Sequence, residues 1–313
     1  MAKLPRKPRP IARSADVLDL AVASRAVVPK PADPRQPDLF ARPFIPPMLA
    51  TLADKAPVGT RWQYEIKHDG YRVQAHVSAG QARLYTRRGF DWTDRMPFIA
   101  VAVSALRCQS AILDGEAVIE DEAGVSDFFA LHGALRAGSA PAAILYAFDL
   151  LELDGEDLRP MPLVERRATL AVLLTGAADG IEISPQWEDA PHVEHVCGLG
   201  LEGLVAKRKD APYRSGRSDC WQKVKCTTTE PFAVVGYDPA GKRGVAALRI
   251  ATLQENTLVA CGSVGSGFSA QASSDLRLAL DAGRHVVAEV EHRGRTPSGE
   301  LRHPVFKGWH SEV

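Results

Sequence analysis

Between residues 61 and 153 the chain breaks into short segments in which apolar and polar side chains alternate: RWQYEIKHDGYRVQAHV, ARLYTRRG, AILDGEAVIE and AAILYAFDLLEL. A period of two places successive side chains on opposite faces of a strand, so each segment offers one face to a core. Glycines and charged residues punctuate the segments, which points to antiparallel sheets. Two later stretches, PLVERRATLAVLL and PHVEHVCGLG, keep a helical period instead. Mixed in this way, residues 43–230 predict an α+β domain built on antiparallel sheets.

Beyond residue 229 the pattern changes to FAVVGYDPA, VAALRIATLQ and TLVACGSVGSGF, then a helical SSDLRLALDAG and a final HVVAEVEHRG. Five or so short strands with one helix in about 80 residues suit a small barrel of the OB type, expected over 231–313. Two domains also match the length of 313 residues, because single cores stop growing near 250–300 residues. Residues 1–42 are rich in Pro, Lys and Arg (LPRKPRPIAR, VPKPADPRQP), a composition that buries too little apolar surface to offset chain entropy. They read as a flexible basic arm, with at most a short helix over 15–23.

The 38 basic and 38 acidic side chains cancel, so a nucleic-acid partner has to be read from local clusters. Such clusters are Lys207-Arg208-Lys209 with Arg214 and Arg217 in the first domain, and Lys242-Arg243, Arg293 and Arg295 in the second. Each alone is an ordinary solvated face; a duplex held between the domains would meet both sets, through phosphate contacts that salt weakens. Five scattered cysteines without a CxxC pair argue against a disulfide framework or a zinc ribbon and fit a reducing cytoplasm. No signal-peptide core and no run of about 18 apolar residues is present, so a soluble chain is expected.

The chemistry-bearing stretch is Glu65-Ile-Lys67-His-Asp69-Gly70-Tyr-Arg72, at the end of one expected strand and the start of the next. Alone, a KxDG tetrad is more often an exposed hairpin with a solvated lysine. It is followed, in order, by YTRRG (85–89), LDGE (113–116), AFDLL (147–151), LEGLVAK (201–207) and WQKVK (221–225). A lysine amine is protonated at neutral pH, with an ordinary pKa of about 10.4, so attack on phosphorus requires nearby positive charge or desolvation. Lys223 and Lys225, two apart on a strand, point to one face and can supply that charge. Glu116 and Glu202, each beside a glycine, are hard oxygen ligands of the kind that suit Mg²⁺.

In order and spacing this series resembles the covalent nucleotidyltransferases, which include DNA ligases, RNA ligases and mRNA-capping enzymes. Within them it looks like the ATP-dependent DNA ligases, in particular the ligase module of bacterial end-joining ligase D. The resemblance covers residues 44–310. It implies an ATP-grasp-like ligase domain followed by an OB-fold barrel, with ATP and Mg²⁺ (or Mn²⁺) as cofactors. Lys67 would be the nucleophile and Lys223 and Lys225 would grip the α-phosphate. Glu116 would contact the ribose, and Glu116 and Glu202 would hold the metal. Phe148 would stack on adenine, Glu65 would lie beside the base, and Arg72 beside the ribose or the accepting phosphate. Arg87 and Arg88 would hold a DNA 5′-phosphate, with Lys207, Arg208 and Arg214 on the duplex.

Two features could mislead. CGSVGSGF (261–268) mimics a phosphate loop but lacks the Lys-Ser/Thr of one, and reads as a barrel strand and turn. His192, His195 and Cys197 have metal-ligand spacing but fall on a helical pattern with no fourth ligand. The tail LRHPVFKGWHSEV departs from the family, because His310-Ser311-Glu312 stands where Arg-x-Asp is expected; Lys307 or Arg302 would have to substitute, or self-adenylation would be slow. Partners implied by the resemblance are nicked or broken double-stranded DNA, the bacterial end-binding protein Ku and a separate end-processing polymerase. A monomer in the cytoplasm at the nucleoid, with no membrane, is expected. An RNA ligase, a capping-type guanylyltransferase and a non-catalytic DNA-end-binding module are the alternatives.

Overall fold

The computed structural model describes residues 43–296 and 298–312. The basic arm and its possible short helix lie outside the described residues. The chain divides into two compact units between Lys225 and Cys226, ahead of the expected Glu230, which lies inside a continuous strand.

Strands and helices are numbered along the chain. In the first unit one sheet runs in the order β1 (Met48–Leu52), β11 (Gly216–Lys225), β10 (Gly203–Arg208), β2 (Trp62–Ile66) and β9 (Gln186–Trp187). The other runs β4 (Gln81–Thr86), β3 (Tyr71–Ser78), β5 (Ser110–Val118), β6 (Ile144–Leu153) and β7 (Glu156–Asp157), with β8 (Ile181–Ile183) beside β6. Pairing is antiparallel except β1 with β11 and β6 with β8, which are parallel partners brought in by long crossovers. The two sheets face each other across a small core of Met48, Ile112, Phe148, Leu151, Tyr213 and Trp221.

Helices α1 (Pro97–Ser104), α2 (Phe128–Arg136) and α3 (Leu163–Leu173) join the second sheet in the main core, through residues such as Ile99, Leu131 and Leu170. The short α4 (Val193–Gly198) carries His195 and Cys197, and the pattern that read as a helix is one. Helices α1 and α2 escaped the sequence reading, since α1 is apolar around most of its circumference and shows little periodicity. In α3 the buried face is Leu163, Arg166, Arg167 and Leu170, so two arginines occupy core positions. Arg166 forms a bidentate pair with Asp149, at 2.7 and 2.8 Å, with both side chains fully buried.

The second unit is a five-stranded antiparallel sheet ordered β14 (Thr257–Val264), β13 (Gly244–Gln254), β12 (Thr228–Ala240), β15 (His285–His292) and β16 (Val305–Glu312). Helix α5 (Ala270–Asp281) packs on it through Leu276 and Ala279, and Ser269 caps its N-terminus. Pairing ends at β14 and β16, so the described residues form an open sheet where a closed barrel was expected. Single backbone bonds from Leu301 to Cys261 and from Phe306 to Ser266 bring those edges together locally. CGSVGSGF is strand and turn, as read. The tail is strand β16, in which Lys307 pairs with Glu291 at 3.0 Å. Cys108, Cys220 and Cys261 are free thiols, whereas Cys197 and Cys226 are disulfide-bonded. Their scatter in sequence argued otherwise, because disulfides depend on proximity in space. No helix among the described residues is long and apolar enough to cross a membrane.

Candidate active site

The KxDG loop is where the chain leaves one sheet for the other. β2 ends at Ile66, and the Lys67 amide still donates to the Gly203 carbonyl at 2.9 Å. The chain then turns through His68, Asp69 and Gly70 into β3. A Cβ on Gly70 would stand 2.1 Å from the Ala117 carbonyl oxygen, and one on Gly203 2.1 Å from that of Val224. Only glycine allows either crossing.

Residues from both sheets converge on this loop. The Lys67 Nζ forms an ion pair with Glu202, the residue just before β10. Lys225 pairs across the ladder with Gly203, and its charge bears on Glu202. Burial lowers the Lys223 ammonium, assisted by the charges of Lys67, Arg217 and Arg87. β11 lies between β1 and β10, so Lys223 and Lys225 are on an interior strand. Glu116 faces Arg72 across β3 and β5. Burial pushes its carboxyl up to about 7 against the pull of Arg72 and Lys67, with Glu202 and Asp114 raising it further. Burial raises Glu202 as well, opposed chiefly by Lys67.

Two carboxylates whose charged forms are disfavoured by burial, Glu116 by the charge of Glu202 as well, suit a divalent cation, which would reverse both shifts. Among the described residues no group of three His, Cys, Asp or Glu side chains that could hold a metal ion exists. Arg87 and Arg88 are exposed on the turn closed by the Gly89 amide on Thr86. Arg214 is exposed too.

Five of the expected site residues are engaged by protein partners. Lys207 is not on a basic surface: β10 alternation turns it inward, 3% exposed, where its Nζ donates to Glu65 at 2.7 Å and lies 4.1 Å from the Phe148 ring centroid. Burial lowers it to about 8 although Glu65 opposes. Arg208 is held to Asp210 by two bonds, at 3.0 and 2.8 Å, which offsets its charge. Phe148 is 7% exposed, packed edge-on against Trp221 with Arg72 and Lys207 over its ring. Glu65 is buried and accepts from Gln63, Arg167 and Lys207. Arg72 is likewise anchored, by two 2.6 Å bonds to Asp114, whose other donor is the Tyr213 hydroxyl.

The 47–225 segment matches the family model of the ATP-dependent DNA ligase domain. The chain belongs to the ATP-dependent DNA ligase family. It is 41% identical over 246 residues to the multifunctional non-homologous end joining protein LigD of Pseudomonas aeruginosa, covering 76% of this chain and 29% of that protein. With LigD of Mycolicibacterium smegmatis it shares 32% over 292 residues, 84% of this chain and 38% of that one. The chain therefore spans well under half the length of these relatives. Among solved structures, the ligase domain of M. tuberculosis LigD aligns with TM-score 0.54 and 28% identity, over 84% of this chain and 94% of that domain. A mycobacterial DNA ligase D complexed with ATP and MES aligns at 0.53 with 28% identity, over 85% and 95%.

Sequence reasoning missed several residues that build this ligase site. Asp114 and Tyr213 anchor Arg72, and Arg167 anchors Glu65. The visible signal was the pair Arg166-Arg167 at the spacing of the buried face of a helix.

Proposed function

We propose that this ligase domain seals nicks or broken ends in double-stranded DNA through a lysyl-AMP on Lys67 and a DNA-adenylate. What carries the reading is the convergence of Lys67, Glu202, Lys223 and Glu116 from two sheets on one loop. Lys67 attacks the ATP α-phosphate and pyrophosphate departs; AMP then passes to a 5′-phosphate, and the neighbouring 3′-hydroxyl displaces it. Mg²⁺ or Mn²⁺ held by Glu116 and Glu202 would neutralise charge on the phosphates.

A protonated amine has no lone pair, so Lys67 must give up its proton and its contact with Glu202 before it attacks. The Lys67 charge bears on Lys223, which Arg87 also reaches, and Lys225 bears on Glu202, so these cations would meet the phosphates beside the amine. Arg87 and Arg88 suit a 5′-phosphate, because a guanidinium fork matches its oxygens. The second unit, with OB-like strand order, and the exposed Arg214 would add phosphate contacts. Work on chromosome breaks with Ku and a separate polymerase, as a monomer in the nucleoid, belongs to the same proposal.

Labelled ATP tests it: native protein should retain AMP on Lys67, Lys67→Ala should not, and Lys67→Ala should still seal pre-adenylated nicks. Retention of GMP from GTP, or sealing of nicked RNA in preference to DNA, would favour a capping enzyme or an RNA ligase.

A further inference from the structure

Arg167, on the core face of α3, takes no part in the steps above. It is 4% exposed, yet its NH1 donates to Glu65 Oε1 and to the Phe148 carbonyl, both at 3.1 Å, and its NH2 to the Ser184 carbonyl at 2.7 Å. Its Nε is buried without a hydrogen-bond partner. The three acceptors belong to β2, β6 and the residue following β8. Ser184 Oγ in turn meets His68 Nε2 at 3.2 Å, and the His68 ring stacks on Tyr146 of β6 with centroids 4.2 Å apart. Glu65 lies two residues before Lys67 and His68 directly after it. One guanidinium thus braces both flanks of the Lys67 loop against β6, and so ties the two sheets together.

A purely structural role is a poor account of this residue. An apolar side chain would pack at the same helix position without burying a charge or orphaning an N–H. A planar fork, however, can serve three acceptors on three segments at once, which an ammonium at the same place cannot do.

We propose that Arg167 is a positioning residue for adenylyl transfer to Lys67, holding the loop so that the amine meets the α-phosphate in line. The inference rests on Lys67 being the nucleophile. In that step the Lys67 nitrogen bonds to the α-phosphorus and loses its proton to solvent. The bond from phosphorus to the bridging oxygen breaks, and pyrophosphate leaves with the electron pair. Closing a nick that already carries AMP uses the DNA 3′-hydroxyl and asks nothing of Lys67 as a nucleophile. The two reactions therefore separate aim at Lys67 from general stability.

The test is Arg167→Lys in the full chain. Lysyl-AMP formation at saturating ATP should fall about tenfold or more, the scale on which misplaced reactants lose rate. Sealing of pre-adenylated nicks should stay within about threefold of native. Ser184→Ala leaves the backbone acceptor for Arg167 and removes only the hydroxyl at His68, so it should slow the same reaction less and spare the other. If Arg167→Lys proves unfolded in a thermal melt, Ser184→Ala decides alone. Equal losses in both reactions, or native lysyl-AMP formation in these variants, overturn the proposal. A native protein that takes up no AMP overturns the ligase reading itself, and this inference with it.

Discussion

Replacing Arg166 by methionine keeps the bulk of the side chain and strands a carboxylate in the core. Asp149 and Arg166 are both at 0% exposure, and Arg166 NH1 also serves the carbonyls of Met161 and Ala211, at 2.6 and 3.1 Å. Burial already pushes the Asp149 carboxyl above its ordinary range with Arg166 bonded to it. Without that partner the group escapes charge burial by taking a proton. At pH 7 this costs about 4 kcal/mol, since an ordinary aspartic acid titrates about 3 units lower and each unit is worth 1.36 kcal/mol. The two carbonyls left without a donor add about 1 kcal/mol each.

Arg166→Met should therefore destabilise the first unit by up to about 6 kcal/mol at pH 7, less the part that the raised native carboxyl already carries, on the scale of about 3–5 for other broken buried pairs. At pH 5 the proton costs only about 1.5 kcal/mol, so the penalty relative to native should shrink as pH falls, by at most about 2.7 kcal/mol. Urea unfolding at both pH values, followed by the fluorescence of Trp62, Trp92, Trp187 and Trp221, measures it. Asp149→Leu combined with Arg166→Met should recover most of the loss, because no charge then remains buried. A penalty equal at pH 7 and pH 5, or a double variant no better than the single, would refute the reasoning.

His68 is lowered to about 4, by burial first, with Lys207 and Lys67 adding and Glu65 opposing. Its depressed folded value means that stability is complete above about pH 6.5 and is lost as pH falls toward 4, by up to about 3 kcal/mol. His68→Asn should flatten the melting temperature between pH 7 and 4; a slope parallel to native would contradict it. Arg87→Ala and Arg88→Ala should each lower the slope of log Kd against log salt for nicked DNA by about 0.9, the value of one phosphate contact. Lys207→Met should leave that slope alone and instead cost about 1–3 kcal/mol of stability, because Glu65 loses one donor and keeps Gln63 and Arg167. A changed salt slope in Lys207→Met would return that lysine to the DNA surface.

Period-two segments, the helical period of α3 and the glycines at 70 and 203 were all legible in order along the chain, because alternation and turn chemistry act over a few residues. So was the motif series with Lys67, Glu116, Glu202, Lys223 and Lys225, whose spacing records strands and strand ends that carry the functional groups. Neither the inward turn of Lys207 nor the covering of Phe148 was legible, since charge type and composition do not say which face of a strand meets a second sheet. The open edges at β14 and β16 and the oxidised state of Cys197 and of Cys226 were hidden for the same reason. What the sequence determined by itself was the inventory of strands and reactive groups. The tertiary structure decided which cation lies against which carboxylate, because those pairings join residues far apart along the chain, Glu65 with Arg167 and Lys207 by more than a hundred positions.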